Sequence, residues 1–387
     1  MTKKICFLDS YHTGLNGAPK SMLSLAKGLY EKSFNVTILT TKNDLLLQKA
    51  SNLNLNTDFI NTPQVLLKSR KNKSIFFKIS YIISLFYFWF LLLISKNQYF
   101  KRYDVICIND IRSFLLFLPL LVIYKKKLIW YIRINERIKL ITKTALILSK
   151  KIILISKDSF SIFNENEIKK YSNKFSIINT GFNFPSLKEK NISLHNLRDD
   201  LQIEKNDIVF ISIGSICERK NQLSIINTFK KLHIDNKKLI LIGSPTSDTD
   251  KLYEALLDKE ILKYGLNRNI IKIPYSDNIF DYLKLSHIFL FASKKEGLPR
   301  VLIEALSTGC YLCSSNVDGV NDIIDNDKIG LKTDISSYDI YFEDSFLNLI
   351  NNALCHYSKD KEFRIKYVRE KFNYTNFINN FIKTILS

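Results

Sequence analysis

A chain of 387 residues exceeds the size at which one hydrophobic core stops growing, so two domains are expected, and 46% hydrophobic residues allow both to be well packed. The 57 Lys and Arg against 37 Asp and Glu, a formal net charge of +20, point to an acidic partner (nucleic acid, anionic lipid or a phosphorylated substrate) or to a Lys- and Asn-rich bias. Cysteine usage argues against a metal or redox site: Cys310 and Cys313 have no second pair to join, and a strand would turn them to opposite faces, so buried thiols in a reducing compartment are expected.

The opening MTKKICFLDS has too short an apolar run for a signal peptide, which gives a cytoplasmic expectation. Lys4 to Leu8 reads as a first strand, Gly14 to Gly17 as a turn, and Pro19, Leu23, Leu25, Ala26 and Leu29 mark a helix. Strand, glycine turn and helix is the arrangement in which open α/β sheets receive phosphate, although such a turn also serves structure alone. Asn35 to Thr40 gives a second strand. The region 43–73 is polar and without period, ending in Lys68, Arg70, Lys71 and Lys73. Ile75 to Ile94 is the most hydrophobic stretch, near the roughly 20 residues that cross a bilayer. Crossing would put Asn35 to Thr40 and Asp104 to Asn109 on opposite sides, yet both should join one sheet. A core helix, or a helix shared between core and lipid interface with Lys and Arg at both ends, are the two readings left. A helix over 113–124 and strands Leu128 to Ile132 and Ile152 to Ser156 continue an alternation that predicts a parallel sheet. Arg133 and Glu136 follow in IWYIRINER, as an ion pair or as ligand contacts.

The polar stretch 185–206 reads as a linker. A second α/β unit starts with strand Ile208 to Ile213, then Gly214, then Arg219 and Lys220 just before a helix from Gln222; the two cations are solvated charges or a pair able to neutralise a diphosphate. Strands Leu239 to Ile242, Ile270 to Ile273 and Ile288 to Phe291 and a helix over 248–264 follow, with His287 in a structural role. The stretch ASKKEGLPRVLIEALSTGCYLCS then places Pro299 at the first position of a helix that Gly309 closes. Val301, Leu302, Ile303, Ala305 and Leu306 make that helix apolar all round, hence largely buried, with Glu304 among them. A buried carboxylate needs partners. Either Arg300 pairs with it one turn earlier, or it accepts both hydroxyls of a ribose while Glu296 faces another part of the same ligand and the helix N–H groups face an anion. Residues alone weigh these equally. From Tyr341 the pattern is helical to the end.

Glu296, seven residues and Glu304 within EGLPRVLIEALSTGC resemble the signature of retaining glycosyltransferase family four, of GT-B fold. NGAPKSMLSLAKGL is similar to the segment where a glycine amide, here that of Gly17, touches the donor phosphate. Arg219 and Lys220 match the family's phosphate-binding cations, and IINTGFNF resembles its Asn–Gly segment with a threonine inserted between Asn179 and Gly181. VDGVND resembles the glycine loop after the signature helix, with Asp322 where glutamate is common. Arg133 stands where many members have histidine.

The resemblance implies an α/β chain of two Rossmann-like domains facing across a cleft: residues 1–184 for the acceptor, a linker 185–206, residues 207–362 for the nucleotide-sugar donor, and a helix 363–387 returning to the first domain. It implies retaining, metal-independent transfer of a hexose-type sugar from a nucleotide-diphosphate sugar, a UDP-sugar first, to a glycan or lipid-linked acceptor in bacterial surface-polysaccharide assembly, with no cofactor. Arg219, Lys220 and the main chain of Gly297, Leu298, Pro299 and Arg300 would hold the diphosphate, Glu296 a sugar hydroxyl, Glu304 the ribose, and Tyr275 and Ser276 the base. Arg133 would meet the sugar or an acidic acceptor. The basic surface and apolar helix imply a peripheral position at an anionic membrane. The alternatives are a sugar-nucleotide epimerase of the same fold, or a basic nucleic-acid-binding protein, for which no stacking platform or recognised module is visible.

Overall fold

The computed structural model describes residues 3–10, 17–68, 74–185 and 191–387. Gly14 to Asn16 and Arg70, Lys71 and Lys73 lie outside the described residues. The chain forms two compact units, Met1–Gly181 with Tyr374–Ser387, and Phe182–Asn373.

The first unit is built on seven parallel strands: β1 (Lys4–Leu8), β2 (Asn35–Thr40), β3 (Asn56–Phe59), β4 (Val105–Ile108), β5 (Leu128–Ile132), β6 (Lys151–Leu154) and β7 (Phe175–Ile177), in the order β3-β2-β1-β4-β5-β6-β7. The central strands β1, β4 and β5 are apolar and buried along nearly their whole length, as parallel strands covered on both faces must be. Region 43–73, without period in the sequence, holds helices Leu45–Asn52 and Gln64–Leu67 and strand β3. That strand is polar and mostly exposed at the sheet edge, so it carries no alternation to read. The helix expected over 113–124 is two, Ile111–Leu116 and Leu118–Ile123, because Pro119 starts a new helix where it cannot continue the old one.

Helix Ile75–Ser95 packs one stripe into the core and leaves the rest exposed. Tyr81, Leu85, Phe88 and Leu92, at helical spacing, are buried in the first unit's core, and Trp89 donates its indole N–H to the carbonyls of Leu115 and Leu116 at 3.2 and 3.1 Å. Phe76, Ile79, Ile83, Phe86, Phe90 and Ile94 are exposed. Since β2 and β4 on either side of it share one sheet, the helix does not cross a membrane between them.

The single helix expected over 363–387 is broken. Lys361–Lys371 belongs to the second unit, and Tyr374–Leu386 to the first, where Phe381 stacks on Phe7 and Tyr131.

The second unit carries β8 (Ile208–Ile213), β9 (Lys237–Ile242), β10 (Ile270–Ile273), β11 (Ile288–Phe291), β12 (Tyr311–Ser314) and β13 (Gly330–Lys332), all parallel, in the order β10-β9-β8-β11-β12-β13. The stretch expected as a linker contains helix Asn191–Asp200, and the boundary between units falls at Gly181 and Phe182 instead. Arg364, 1% exposed, donates to the carbonyls of Gly309, Lys328, Lys359 and Tyr357 at 2.5–3.2 Å. It thereby ties the end of the signature helix to the last helix of the unit. His287 is structural: its Nδ1 accepts the Val209 N–H at 3.0 Å.

Candidate active site

In an open parallel sheet, the chain leaves a crevice where neighbouring strands send their following loops to opposite faces. In the second unit that point lies between β8 and β11, which pair with each other although β9 and β10 intervene in sequence. From the β8 side come Gly214 and the short turn Glu218–Lys220, closed by Asn221 in the left-handed region at φ 55. Glycines bring this turn close to the strand ends. A Cβ on Gly243, after β9, would lie 1.9 Å from the Gly214 carbonyl oxygen, and the Lys220 stem runs directly over Gly214. From the β11 side come Ser293 and Glu296.

Three donors meet on one oxygen of Glu296. Arg219 Nη1, Lys220 Nζ and Ser293 Oγ each donate to Oε1 at 2.7 Å, and Arg219 Nη1 also donates to the Lys295 carbonyl at 2.9 Å. Burial alone would raise the Glu296 pKa; the charges of Lys220 and Arg219, with the hydrogen bonds from Lys220 and Ser293, outweigh it and hold the carboxyl below its ordinary range. Lys220 is 14% exposed and Arg219 48%, so one cation is packed into the site and the other reaches solvent.

The signature helix spans Arg300–Leu306. Pro299 is its N-cap rather than its first residue, one position earlier than expected. Leu302, Ile303, Ala305 and Leu306 are buried and Val301 partly so. The Arg300 pairing with Glu304 is present, but at 3.6 Å it is looser than a hydrogen bond. The Arg300 guanidinium lies 4.3 Å from the centre of the Phe182 ring. Gly319, at φ +79 in the VDGVND loop, packs against the preceding turn: a Cβ there would meet the Gly297 oxygen at 2.1 Å and Leu298 Cα at 2.8 Å. Tyr275 and Ser276 follow the edge strand β10, two strands from β8. The Tyr275 N–H donates to Ser244 Oγ and its hydroxyl to Asp277. Asp248 and Asp250, whose spacing could suit a metal, are engaged in their own helix start: Asp250 accepts from Thr246, and Asp248 pairs with Lys251.

In the first unit, Gly17 opens helix Gly17–Glu31 and is exposed. Arg133 follows β5 and is buried. Its terminal nitrogens have no hydrogen-bond partner, so the ion pair with Glu136 does not form. The structure thus joins Arg219, Lys220 and Glu296 into one cluster and sets the Glu304–Arg300 pair on the next helix. Sequence reading missed Ser293 and the close approach of Gly319. A hydroxyl just past a strand end and three residues before a glutamate was the available signal for the first.

Comparison with known proteins bears on this arrangement. The family model described as Glycosyl transferases group 1 matches residues 195–362. The capsular polysaccharide biosynthesis glycosyltransferase CapH of Staphylococcus aureus is 34% identical over 176 residues, 44% of each chain. An N-acetylgalactosamine-N,N'-diacetylbacillosaminyl-diphospho-undecaprenol 4-alpha-N-acetylgalactosaminyltransferase of Campylobacter jejuni is 26% identical over 159 residues, 40% of each chain. The chain therefore matches less than half the length of these curated relatives. Over its whole length its fold is similar to that of Anabaena Alr3699/HepE, crystallised in complex with UDP and glucose, with a TM-score of 0.77, 16% identity and 100% of both chains covered.

Two doubly wound parallel-sheet units with a helix returning to the first make this a chain of the GT-B class. The match to the glycosyl transferases group 1 model falls within its second unit.

Proposed function

We propose that the chain transfers a hexose-type sugar from a nucleotide-diphosphate sugar, a UDP-sugar first, to a glycan or lipid-linked glycan acceptor in surface-polysaccharide assembly, with retention at the anomeric carbon. The observation that carries this reading is the clasp of Arg219, Lys220 and Glu296 at the β8–β11 strand ends. Breaking the bond from anomeric carbon to oxygen builds charge on the departing diphosphate. Two cations already held at the crevice by Glu296 stabilise that charge, the kind of preorganised electrostatic contribution that is often the largest to rate. This neutralisation needs no metal ion. Glu296, held through Oε1, is positioned to hold a sugar hydroxyl, and Glu304, only loosely paired with Arg300, to accept a ribose diol. Retention then requires the acceptor to attack on the face the diphosphate leaves. The names of the capsular and undecaprenol-linked relatives support an acceptor of this kind, and the exposed apolar face of helix Ile75–Ser95 supports a lipid-linked one at an anionic membrane surface.

The test is thermal stabilisation by UDP, GDP and their sugars, since a ligand bound only by the folded chain raises its apparent stability, followed by transfer assays with and without EDTA. Glu304→Gln should weaken donor binding by about 1.5–3 kcal/mol, the range for a hydrogen bond to a charged group. Lys220→Ala should lower turnover more than Tm. Normal donor affinity and turnover in both variants would place the site elsewhere.

A further inference from the structure

Asp9, Asn109 and Arg133 follow β1, β4 and β5, three neighbouring strands of the first unit, and so lie together at the C-terminal ends of its central strands, beside the point where the winding reverses between β1 and β4. Arg133 is 3% exposed. Its Nε donates to Asn109 Oδ1 at 3.0 Å, Asn109 Nδ2 donates in turn to Met22 Sδ at 3.1 Å, and the guanidinium carbon lies 3.9 Å from the centre of the Tyr131 ring. These contacts fix one end and one face of the guanidinium. The other end, Nη1 and Nη2, is buried with no hydrogen-bond partner. Asp9, also buried, favours the charged form from nearby but does not fill this fork.

A buried charge whose strongest donors are unused is costly, and natural folds rarely keep one without an occupant for it. The parallel N–H groups of a guanidinium end match two oxygens of a carboxylate or phosphate, a fit that lysine cannot reproduce. Strand ends of this kind are where a rigid sheet holds binding residues. We propose that Arg133 is the base of an oxyanion subsite in the first unit, and that the acceptor carries the matching group: the carboxylate of an acidic sugar, or a phosphate of a lipid-linked diphosphate. The substrate class rests on the glycosyltransferase reading above; the subsite itself does not.

The experiment titrates the full chain with methyl β-D-glucuronide, with geranyl diphosphate and with neutral methyl β-D-glucoside, following Tm and calorimetric affinity. Each titration is run with and without saturating UDP, which the reading above assigns to the cation pair of the second unit. One anion should bind and raise Tm where the glucoside does not, and which one binds identifies the source of the oxyanion. Arg133→Gln should abolish the increment. Arg133→Lys, which keeps the charge and loses the fork, should weaken binding by about ten- to a hundredfold, as expected for lost hydrogen bonds to a charged group. Failure of both anions to bind better than the glucoside would overturn the subsite. So would a variant whose baseline Tm falls while its anion-dependent increment is unchanged, because Arg133 would then be purely structural. If UDP fails to bind while an anion does, the nucleotide-sugar reading falls and the subsite stands.

Discussion

Three donors on one carboxylate oxygen give Glu296 two tasks that a substitution can separate: fixing Arg219 and Lys220, and presenting a carboxylate to a substrate. Glu296→Gln keeps the shape and removes the charge that competes with a diphosphate for the two cations. UDP should therefore bind at least as tightly to this variant while turnover falls, which calorimetry and a transfer assay read separately. Titration at two residues shapes acid stability with opposite preferences. Glu296 favours its ionised form, so its contribution is present above the ordinary carboxylate pKa and is lost as pH falls through the lower native value. His287 favours its neutral form, its pKa lowered to about 4 by burial and then by the charges of Lys361 and Arg198. Between about pH 6.5 and 4 the unfolded chain binds a proton at this residue that the native chain does not, so stability falls as pH drops through that window. His287→Gln should flatten that slope in denaturant melts taken across it. Arg219, Lys220, Glu296 and Glu304 stand out in the sequence because charges beside strand ends and within an apolar helix are conspicuous, while their residue types alone leave solvated or paired charges as an open reading. Ser293 and Gly319 do not, since a serine after a strand and a glycine in a loop look alike whether or not something packs on them.

Among the elements, helix Ile75–Ser95 and the Gly319 loop make separable claims. The helix buries one stripe and leaves Phe76, Ile79, Ile83, Phe86, Phe90 and Ile94 in the open along one element. If that face meets anionic lipid, Phe86→Glu with Phe90→Glu should abolish co-sedimentation with anionic vesicles and leave Tm nearly unchanged. Leu85→Ala, on the buried stripe, should instead lower stability by about 2–5 kcal/mol. Full solubility of the unaltered chain beside such vesicles at low salt would remove the lipid role. In the second unit, Gly319→Ala must either move the Gly297–Leu298 backbone or give up its positive φ. Nucleotide affinity should fall with it, measured against a control at Gly265, where a Cβ meets nothing and only the backbone preference changes.

For the whole molecule, apolar strands alternating with helices determine two α/β units from sequence alone, because the period of burial is written in residue type. The sequence also carried the signature charges and the long apolar helix, of which the structure buries one stripe in the core and leaves the opposite face exposed. Tertiary structure alone decided strand order, and with it the β8–β11 crevice that brings Arg219 and Lys220, 77 and 76 positions before Glu296, to within 2.7 Å of it. It also decided that the chain breaks after Lys371 to send its last helix to the first unit, and that the guanidinium of Arg133 is left open at its forked end. The physical reason is common to all three: local pattern records how much of each residue is hidden from water, whereas partners across a sheet or at a strand end depend on which distant segments hide it.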